Sequence, residues 1–325
     1  MATFDTVYTV KREVSKEQFL RALFIELAQD EKFPPDIFTA KFGDVKESTK
    51  EMMICEGHVE TDFTASIGYD RKKEQWNPSK QKYEEVTVTD WKPFSGHLNG
   101  DKTVIAENGG TRQDVTVLAK EHDRFYTIMK TVKESDIEKR GTAEVSEVGL
   151  ANAKDLCAAL LESEIKYPGN QAKDKKVSSS VSVNKVDCYK TPYYDMTYTY
   201  DEKEYKASGY ACGTPNAESE VPFNKGDPGL IAREKTKGLK IGTIVSWLAV
   251  LATFIAAIAV GGLVWIAPGV LAIIAIAFTA IYAKKDSHIR NEVLAENKTQ
   301  KLSGLKAMLV SNGLTPLSHE EEEKI

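Results

Sequence analysis

The longest uncharged segment of the chain is a run of 43 residues, 241–283, that contains no Asp, Glu, Lys or Arg. As one helix it would measure about 65 Å at ~1.5 Å per residue, roughly twice the ~30 Å hydrocarbon thickness of a bilayer. The Gly261-Gly262 pair lies near its midpoint and favours a turn there. The run therefore predicts a transmembrane hairpin of two helices, 241–260 and 263–282, with the lipid bilayer as a partner.

Small residues recur at every fourth position in both predicted spans, a spacing that lets helices approach closely. These membrane-packing candidates are Thr253, Ala257 and Gly261 in the first span and Ala275, Thr279 and Ala283 in the second. They predict either packing within one hairpin or association between hairpins of different chains. Because ion and proton pathways usually carry an ionisable residue and the spans have none, a transporter is not expected.

Charge around the hairpin sets the expected topology. The N-terminal segment MATFDTVYTVKREV lacks the apolar core of a signal peptide. Lysines lie before the hairpin, at Lys237 and Lys240, and after it, at Lys284 and Lys285, and positive charge tends to remain in the cytoplasm. We therefore expect a two-pass protein of the inner (cytoplasmic) membrane with both termini cytoplasmic. The alternative is a helical hairpin buried in a soluble core.

The rest of the composition is that of a soluble region. A net charge of −5 gives no reason to expect nucleic acid as a partner, because nucleic-acid binding usually needs a basic face. The cysteines Cys55, Cys157, Cys188 and Cys212 are far apart and form no CxxC pair. This usage predicts reduced, mostly buried thiols, with a disulfide between Cys188 and Cys212 as the alternative.

The region before the hairpin follows one structural plan twice. In the first pass, Ser15 and Gln18 form a capping box at the start of a helix. A strand with apolar alternation follows over 53–67, and Asn108-Gly109-Gly110 predicts a β-hairpin whose second strand is 114–118.

The second pass has a helix that begins near Gly149 with Asn152 as its cap, and then strands whose tyrosines alternate at Tyr194, Tyr198 and Tyr200. Each pass predicts a helix covering an antiparallel sheet. The expected fold class is therefore α+β: two helix-plus-antiparallel-sheet modules, the transmembrane hairpin and a short helical tail. The expected boundaries are 1–146 and 147–213 for the two cytoplasmic modules, 214–240 for a linker, 241–283 for the hairpin and 284–325 for the cytoplasmic tail.

Segment 192–205, PYYDMTYTYDEKEY, resembles a hairpin found just before the C-terminal transmembrane helices in a group of poorly characterised bacterial membrane-anchored proteins. Segments 64–70 (TASIGYD) and 88–96 (VTDWKPFSG) are similar to other parts of that group. Many members begin with a transcription-factor-type zinc ribbon, for which this chain has no paired cysteines. The resemblance therefore implies an architecture, without a metal, a nucleic acid or an established activity.

The tail segment 302–315, LSGLKAMLVSNGLT, resembles a SHOCT motif, a short C-terminal element thought to mediate assembly. Its apolar stripe consists of the self-association candidates Leu302, Leu305, Met308 and Leu309. Gly313 is placed to end that helix, and Thr315 to cap a short second one. The resemblance implies a homo-oligomer, and a tail helix that packs on its own soluble domain is the alternative.

One predicted strand face carries the side chains most suited to metal binding or catalysis, namely Glu56, His58, Glu60 and Asp62. Residues two apart share a strand face, but they are usually too far apart for all of them to reach one ion. A solvated outer face is therefore the expected reading. Phosphate-loop, dinucleotide, GxSxG and HExxH motifs do not occur. We predict no catalytic residue, cofactor or metal.

These observations predict a membrane-anchored, cytoplasm-facing adaptor or scaffold that binds an unknown protein partner and self-associates. It is not expected to be an enzyme. One alternative is an oligomeric pore-forming or membrane-remodelling protein acting in stress or defence, which the small-residue ladders motivate. A second alternative is an enzyme with an unrecognised site near His58.

Overall fold

A computed structural model describes residues 6–79, 81–142, 144–169, 171–260 and 266–325, without the side chains of 257–260 and 266. In chain order its elements are β1 (Thr6–Val10), α1 (Lys16–Gln29), a 3-10 helix (Ile37–Thr39), β2 (Lys41–Phe42), β3 (Lys46–Asn77), β4 (Lys82–Glu107), α2 (Val115–Met129), a second 3-10 helix (Glu134–Asp136), β5 (Ile137–Lys139), α3 (Glu147–Glu162), β6 (Gln171–Tyr200), β7 (Lys203–Tyr210), β8 (Glu218–Ser219), α4 (Pro228–Lys235), α5 (Lys237–Val260), α6 (Ile266–Ser311) and α7 (His319–Glu323). The predicted mixture of helices, a sheet and two long apolar C-terminal helices is confirmed.

The chain folds as two units that interleave along the sequence. The first contains Met1–Val14, Glu47–Tyr193 and Tyr210–Thr214, and the second contains Ser15–Lys46, Tyr194–Gly209 and Pro215–Ile325. The sequence predicted consecutive modules, each with its own helix. Instead, α1 belongs to the second unit and α3 to the first, so each helix is grouped with strands from the other predicted module.

The sheet of the first unit has the strand order β4-β3-β6-β1-β5. Strands β3 and β4 pair antiparallel without a break from Met52↔Glu107 to Asn77↔Lys82. Strand β1 runs parallel to β6, with Thr6 opposite Asp187. This parallel pairing differs from the all-antiparallel expectation, because β1 joins the sheet beside a strand that is distant in sequence.

Helix α3 covers one face of this sheet. Its residues Leu156 and Leu161 share a core cluster with Met53 and Val59 of β3, as the alternation of β3 predicted. Cys55, Cys157 and Cys188 lie in the same cluster, and all four cysteines are free and buried. Burial raises the pKa of the Cys55 thiol to about 12. The prediction of reduced, buried thiols is confirmed, and the alternative disulfide is wrong.

Two local predictions in the first unit were wrong. Segment 114–118 begins α2 rather than a strand, because the Asp114 side chain caps the helix by accepting a hydrogen bond from the Thr116 N–H, 2.8 Å away. Helix α3 is capped by Ser146, while Asn152 is buried inside the helix and accepts a hydrogen bond from the Gln113 N–H in the loop before α2. In both cases the pattern misleads because Asp and Asn side chains suit turns, helix caps and buried hydrogen bonds alike.

A half-buried polar network holds α2 on the first unit. Glu121 accepts hydrogen bonds from the Tyr210 hydroxyl and from Lys50 Nζ, the latter at 2.9 Å. Burial acts to raise the pKa of Glu121, but the charge of Lys50 and the Tyr210 bond outweigh it, so this pKa lies below its ordinary value. The carboxylate therefore links α2 to β3 and to the end of β7.

In the second unit, α1 begins at the predicted capping box of Ser15 and Gln18. Its Phe19 ring lies 5.3 Å from the ring of Tyr194 in β6. The end of β6 pairs with β2, where Tyr198 is opposite Phe42, and β7 pairs with β6 and β8. Tyr194, Tyr198 and Tyr200 are buried, so their predicted alternation is confirmed.

Helix α6 is continuous over 46 residues, from the second apolar span into the tail. It ends near Gly313, whose φ of +63° suits glycine. Helix α7 is capped by Ser318, so the prediction of Thr315 as its cap was wrong. Ser318 has Glu321 three residues later and completes a capping box, which Thr315 does not.

We expect Glu121→Ala to destabilise the first unit by about 2 kcal/mol, because it leaves the partly buried Lys50 and the Tyr210 hydroxyl without their main acceptor. Thermal denaturation of the full chain in mild detergent measures this cost. Since the pKa of Glu121 is lowered on folding, its contribution is complete above pH 4.5, the ordinary value, and declines as the pH falls through the lower folded value. Glu121→Ala should lack this acid-dependent loss, and an unchanged pH profile would contradict the assignment.

Candidate functional site

The end of the β3–β4 ribbon is an exposed, structured part of the first unit. We call residues Tyr69–Asn77 and Lys82–Trp91 the arm. None of its described side chains is buried, although both strands keep their register to the last pair, Asn77↔Lys82. Eight residue steps at ~3.4 Å make the arm about 27 Å long.

Cross-strand side-chain pairs hold the arm together. Lys72 Nζ lies 2.8 Å from Glu85 Oε2, and Arg71 Nε lies 2.5 Å from Asp90 Oδ2. The Thr89 hydroxyl donates to Asp70 Oδ1 over 2.6 Å. Each such pair contributes roughly 0.2–1 kcal/mol, so the ribbon is stabilised by several weak contacts in place of a core.

Three exposed aromatic rings lie on one face of the arm. Trp76 and Tyr83 are 47% and 67% exposed, and their rings meet edge to face at 5.2 Å. Trp91 is 38% exposed and lies against Gly68, where a Cβ atom would come within 3.2 Å of the ring. Lys173 of β6 places its Nζ 3.9 Å from the Trp91 ring centre. Exposed, partly fixed aromatic side chains are typical of protein interfaces.

Strand β4 forms one edge of the sheet in the first unit. Next to the last ladder pair, Met52↔Glu107, the Asn108 N–H donates to the Glu51 carbonyl. Because hydrogen-bonded pairs alternate along an antiparallel ladder, the even-numbered positions of β4 are the ones that bond to β3. Odd-numbered positions then direct their backbone N–H and C=O groups away from β3. Pro93, which has no N–H, occupies one of these outward positions, as expected for an edge strand.

Helix α2 covers the base of this edge at Ile105. The Ile105 N–H points outward and donates to His122 Nδ1 over 3.0 Å. Burial lowers the pKa of His122, although Asp123 acts in the opposite direction, and the neutral ring supplies the acceptor. The base of the β4 edge is therefore closed by α2 at this position.

The predicted Glu56, His58, Glu60 and Asp62 face is an outward face, as expected. His58 Nδ1 lies 2.7 Å from Asp101 Oδ1, and His97 Nδ1 lies 2.9 Å from Asp62 Oδ1. The two pairs bridge β3 and β4 at the surface. Within the described residues, no group of three or more His, Cys, Asp or Glu side chains is placed to hold a metal ion.

Helices α5 and α6 are each long and apolar enough to cross a membrane, which supports the predicted two-pass hairpin. Trp247 Nε1 of α5 donates to the Thr279 hydroxyl of α6 over 3.1 Å. Ala275, one turn earlier, is fully buried, whereas Ala283 is exposed. Thr253 donates to the Ala249 carbonyl of its own helix. The Ala257 side chain and Gly261 lie outside the described part.

The apolar stripe of the tail packs within the second unit. Leu305 and Leu309 are buried, and Leu302 and Met308 are half-buried. Gly304 lies so close to Phe38 that an added Cβ would come within 2.9 Å of that side chain. This is the alternative in which the tail helix packs on its own domain. Self-association through these four residues stays a prediction.

Sequence patterns indicate the β3 face, the buried tyrosines and a returning Val/Thr-rich strand over 85–91, but not the length of the arm or the role of His122. The polar segment 72–82 lacks clear alternation and carries a turn signal at Asn77-Pro78, so it does not predict pairing as far as Asn77↔Lys82. Nothing local to His122 predicts that it accepts from Ile105, since the two are 17 positions apart.

Comparisons with known protein families, curated proteins and solved structures found no match to this chain. The resemblances to the membrane-anchored group and to the SHOCT motif therefore stay predictions.

We expect His122→Ala to cost about 1 kcal/mol and to speed hydrogen exchange of the Ile105 amide, because the outward N–H loses its acceptor. Hydrogen-exchange mass spectrometry measures the exchange. Because the pKa of His122 is lowered on folding, its stabilisation is complete above pH 6.5, the ordinary value, and is lost as the pH falls through the folded value. The exposed His97→Ala is the control and should leave Ile105 protection unchanged. Equal effects of the two variants would contradict a specific role for His122.

Proposed function

We propose that this protein is a membrane-anchored adaptor or scaffold that faces the cytoplasm and docks a protein partner on the arm. The observation that carries the proposal is a β-ribbon of about 27 Å that projects three exposed aromatic side chains, Trp76, Tyr83 and Trp91, on one face. Buried aromatic anchors supply much of the binding energy at protein interfaces. An exposed ribbon with such anchors is suited to contact another macromolecule.

The charge of the arm favours a protein over a nucleic acid. Residues 69–91 contain five basic and five acidic side chains, so the segment is neutral overall. Nucleic-acid binding draws on a basic face that neutralises phosphates. The arm instead combines aromatic anchors with a mixed polar rim, which is the usual composition of a protein interface.

The hairpin of α5 and α6 supplies the membrane anchor in this proposal. Lys237 and Lys240 precede the first span and Lys284 and Lys285 follow the second. The positive-inside tendency then places both termini and both units in the cytoplasm, at the inner membrane. Because α6 continues from its apolar span to Leu305 and Leu309 in the core of the second unit, the anchor and that unit share one helix.

The pore and enzyme alternatives stay predictions. For the pore, two of the small residues are used inside the hairpin, since Ala275 is buried and Thr279 accepts from Trp247. For the enzyme, His58 and its neighbours form surface pairs across two strands. The arm is the feature that favours the adaptor over both.

We expect the double variant Trp76→Ala, Tyr83→Ala to lose partner binding at least tenfold, since anchor residues cost about 2 kcal/mol or more each when truncated. A photoreactive residue at Glu74, which is exposed and shares a strand face with Trp76, is activated in intact cells in the full-length protein and reports the adduct formed at the arm. Trp76→Phe is the matched control because it keeps a ring against Tyr83. An arm that forms no adduct with a different protein would overturn the adaptor proposal.

We expect tags at the N-terminus and the C-terminus both to be inaccessible to reagents outside intact cells and to become accessible after the inner membrane is opened. The reason is the lysine pattern on both sides of the hairpin. A tag inserted after Gly262 serves as the positive control, since this position lies between the two spans. Surface labelling of either terminal tag would contradict the topology.

A further inference from the structure

Among the described strands, none pairs with the outer edge of the arm over a defined stretch. Strand β4 has β3 as its sheet neighbour and lies at the end of the strand order in the first unit. Between the turn and Pro93, the outward odd-numbered positions are Tyr83, Glu85, Thr87, Thr89 and Trp91. An exposed strand edge of this length is a template for one more strand.

Geometry restricts how a second β4 could pair with this edge. In a two-fold antiparallel pair, outward positions must face outward positions, so the numbers of opposing residues add to an even sum. The dyad therefore passes through a residue rather than between two residues. The free stretch is centred near Thr87 and Val88, which leaves few registers with a long overlap.

Charge selects among those registers. A dyad at Thr87 places Glu84 opposite Asp90 and Lys82 opposite Lys92, two unfavourable contacts that the symmetry repeats. A dyad at Val88 instead places Glu84 opposite Lys92, and the symmetry repeats this favourable contact.

With the dyad at Val88, Thr87 also lies opposite Thr89, a pairing that β-sheets favour. A dyad at Val86 brings Lys82 opposite Asp90, but it shortens the overlap because Trp91 would face Gln81, in the turn with a φ of +49°. The register through Val88 therefore has both the favourable charges and the longer overlap.

We propose that β4 pairs antiparallel with β4 of a second copy of this chain, with Val88 on the dyad and Glu84 opposite Lys92. This inference rests on the proposal that the arm is a docking surface, and it names the edge of the arm as the site of self-association. The aromatic face with Trp76 and Tyr83 stays open for the protein partner, because edge pairing uses the backbone in the plane of the sheet.

The test is disulfide trapping of the full-length protein in native membrane vesicles. Val88→Cys places two thiols at a non-hydrogen-bonded pair, where Cα atoms lie about 4.5 Å apart and a disulfide fits. Val86→Cys is the matched control, with the same residue type, strand face and half-buried setting. In the proposed register its two copies are about 14 Å apart, which is too far for a disulfide.

We expect mild copper–phenanthroline oxidation to convert most of Val88→Cys to a dimer, at least tenfold more than Val86→Cys or the unaltered chain. The unaltered chain is a suitable baseline because its cysteines are buried. Trapping of Val88→Cys no greater than of Val86→Cys, or preferential trapping of Val86→Cys, would overturn the proposal.

Charge reversal provides a second, independent measurement. In the Val88→Cys background, Lys92→Glu should reduce trapping about tenfold by placing like charges opposite each other. Adding Glu84→Lys should restore it, whereas a general folding defect would not be rescued. Loss of dimer trapping with intact Glu74 adducts to another protein would remove the self-pairing and leave the adaptor proposal standing. Loss of those adducts with intact trapping would remove the adaptor proposal and leave the self-pairing standing.

Discussion

The unbroken antiparallel pairing of β3 with β4 is the interaction on which the first unit depends. From Met52 to Asn77 every residue of β3 has a partner on β4, and this single register fixes which side chains face α3. It brings Met53, Cys55 and Val59 into the core and turns His58 and Asp62 outward. A slip of one residue would exchange the two faces, so the apolar base of the ribbon specifies the register of the arm.

The base and the arm of the ribbon are stabilised by different physical terms. At the base, helices α2 and α3 cover the sheet, and His122 accepts from the outward Ile105 N–H. In the arm no described side chain is buried, and ion pairs such as Lys72–Glu85 and the Trp76–Tyr83 contact replace a core. Burial of its exposed rings against a partner would be favourable, which supports the proposal that the arm is a docking surface.

The second unit is organised by helix α6. Its first part is an apolar span, and its later turns carry Leu305 and Leu309 into the core. Arg21 of α1 binds Glu321 of α7 over 2.7 Å, and buried Lys301 donates to the Asp30 carbonyl. The Arg21 guanidinium and the Ser318 backbone N–H both donate to the Glu321 carboxylate and hold its pKa at about 2. The tail is thus part of a folded unit and serves the chain's own packing.

Local patterns in the chain were enough to identify the apolar hairpin, the helix start at Ser15, the alternation of β3 and the buried tyrosine stripe, since each depends on residues a few positions apart. They failed at Asp114 and Asn152, where the same side chain suits a turn, a cap or a buried bond. The interleaving of the two units, the capping of Ile105 by His122 and the exposure of the arm depend on residues far apart in sequence. Only long-range packing settles such contacts, because periodicity states which residues share a face and does not state what covers it.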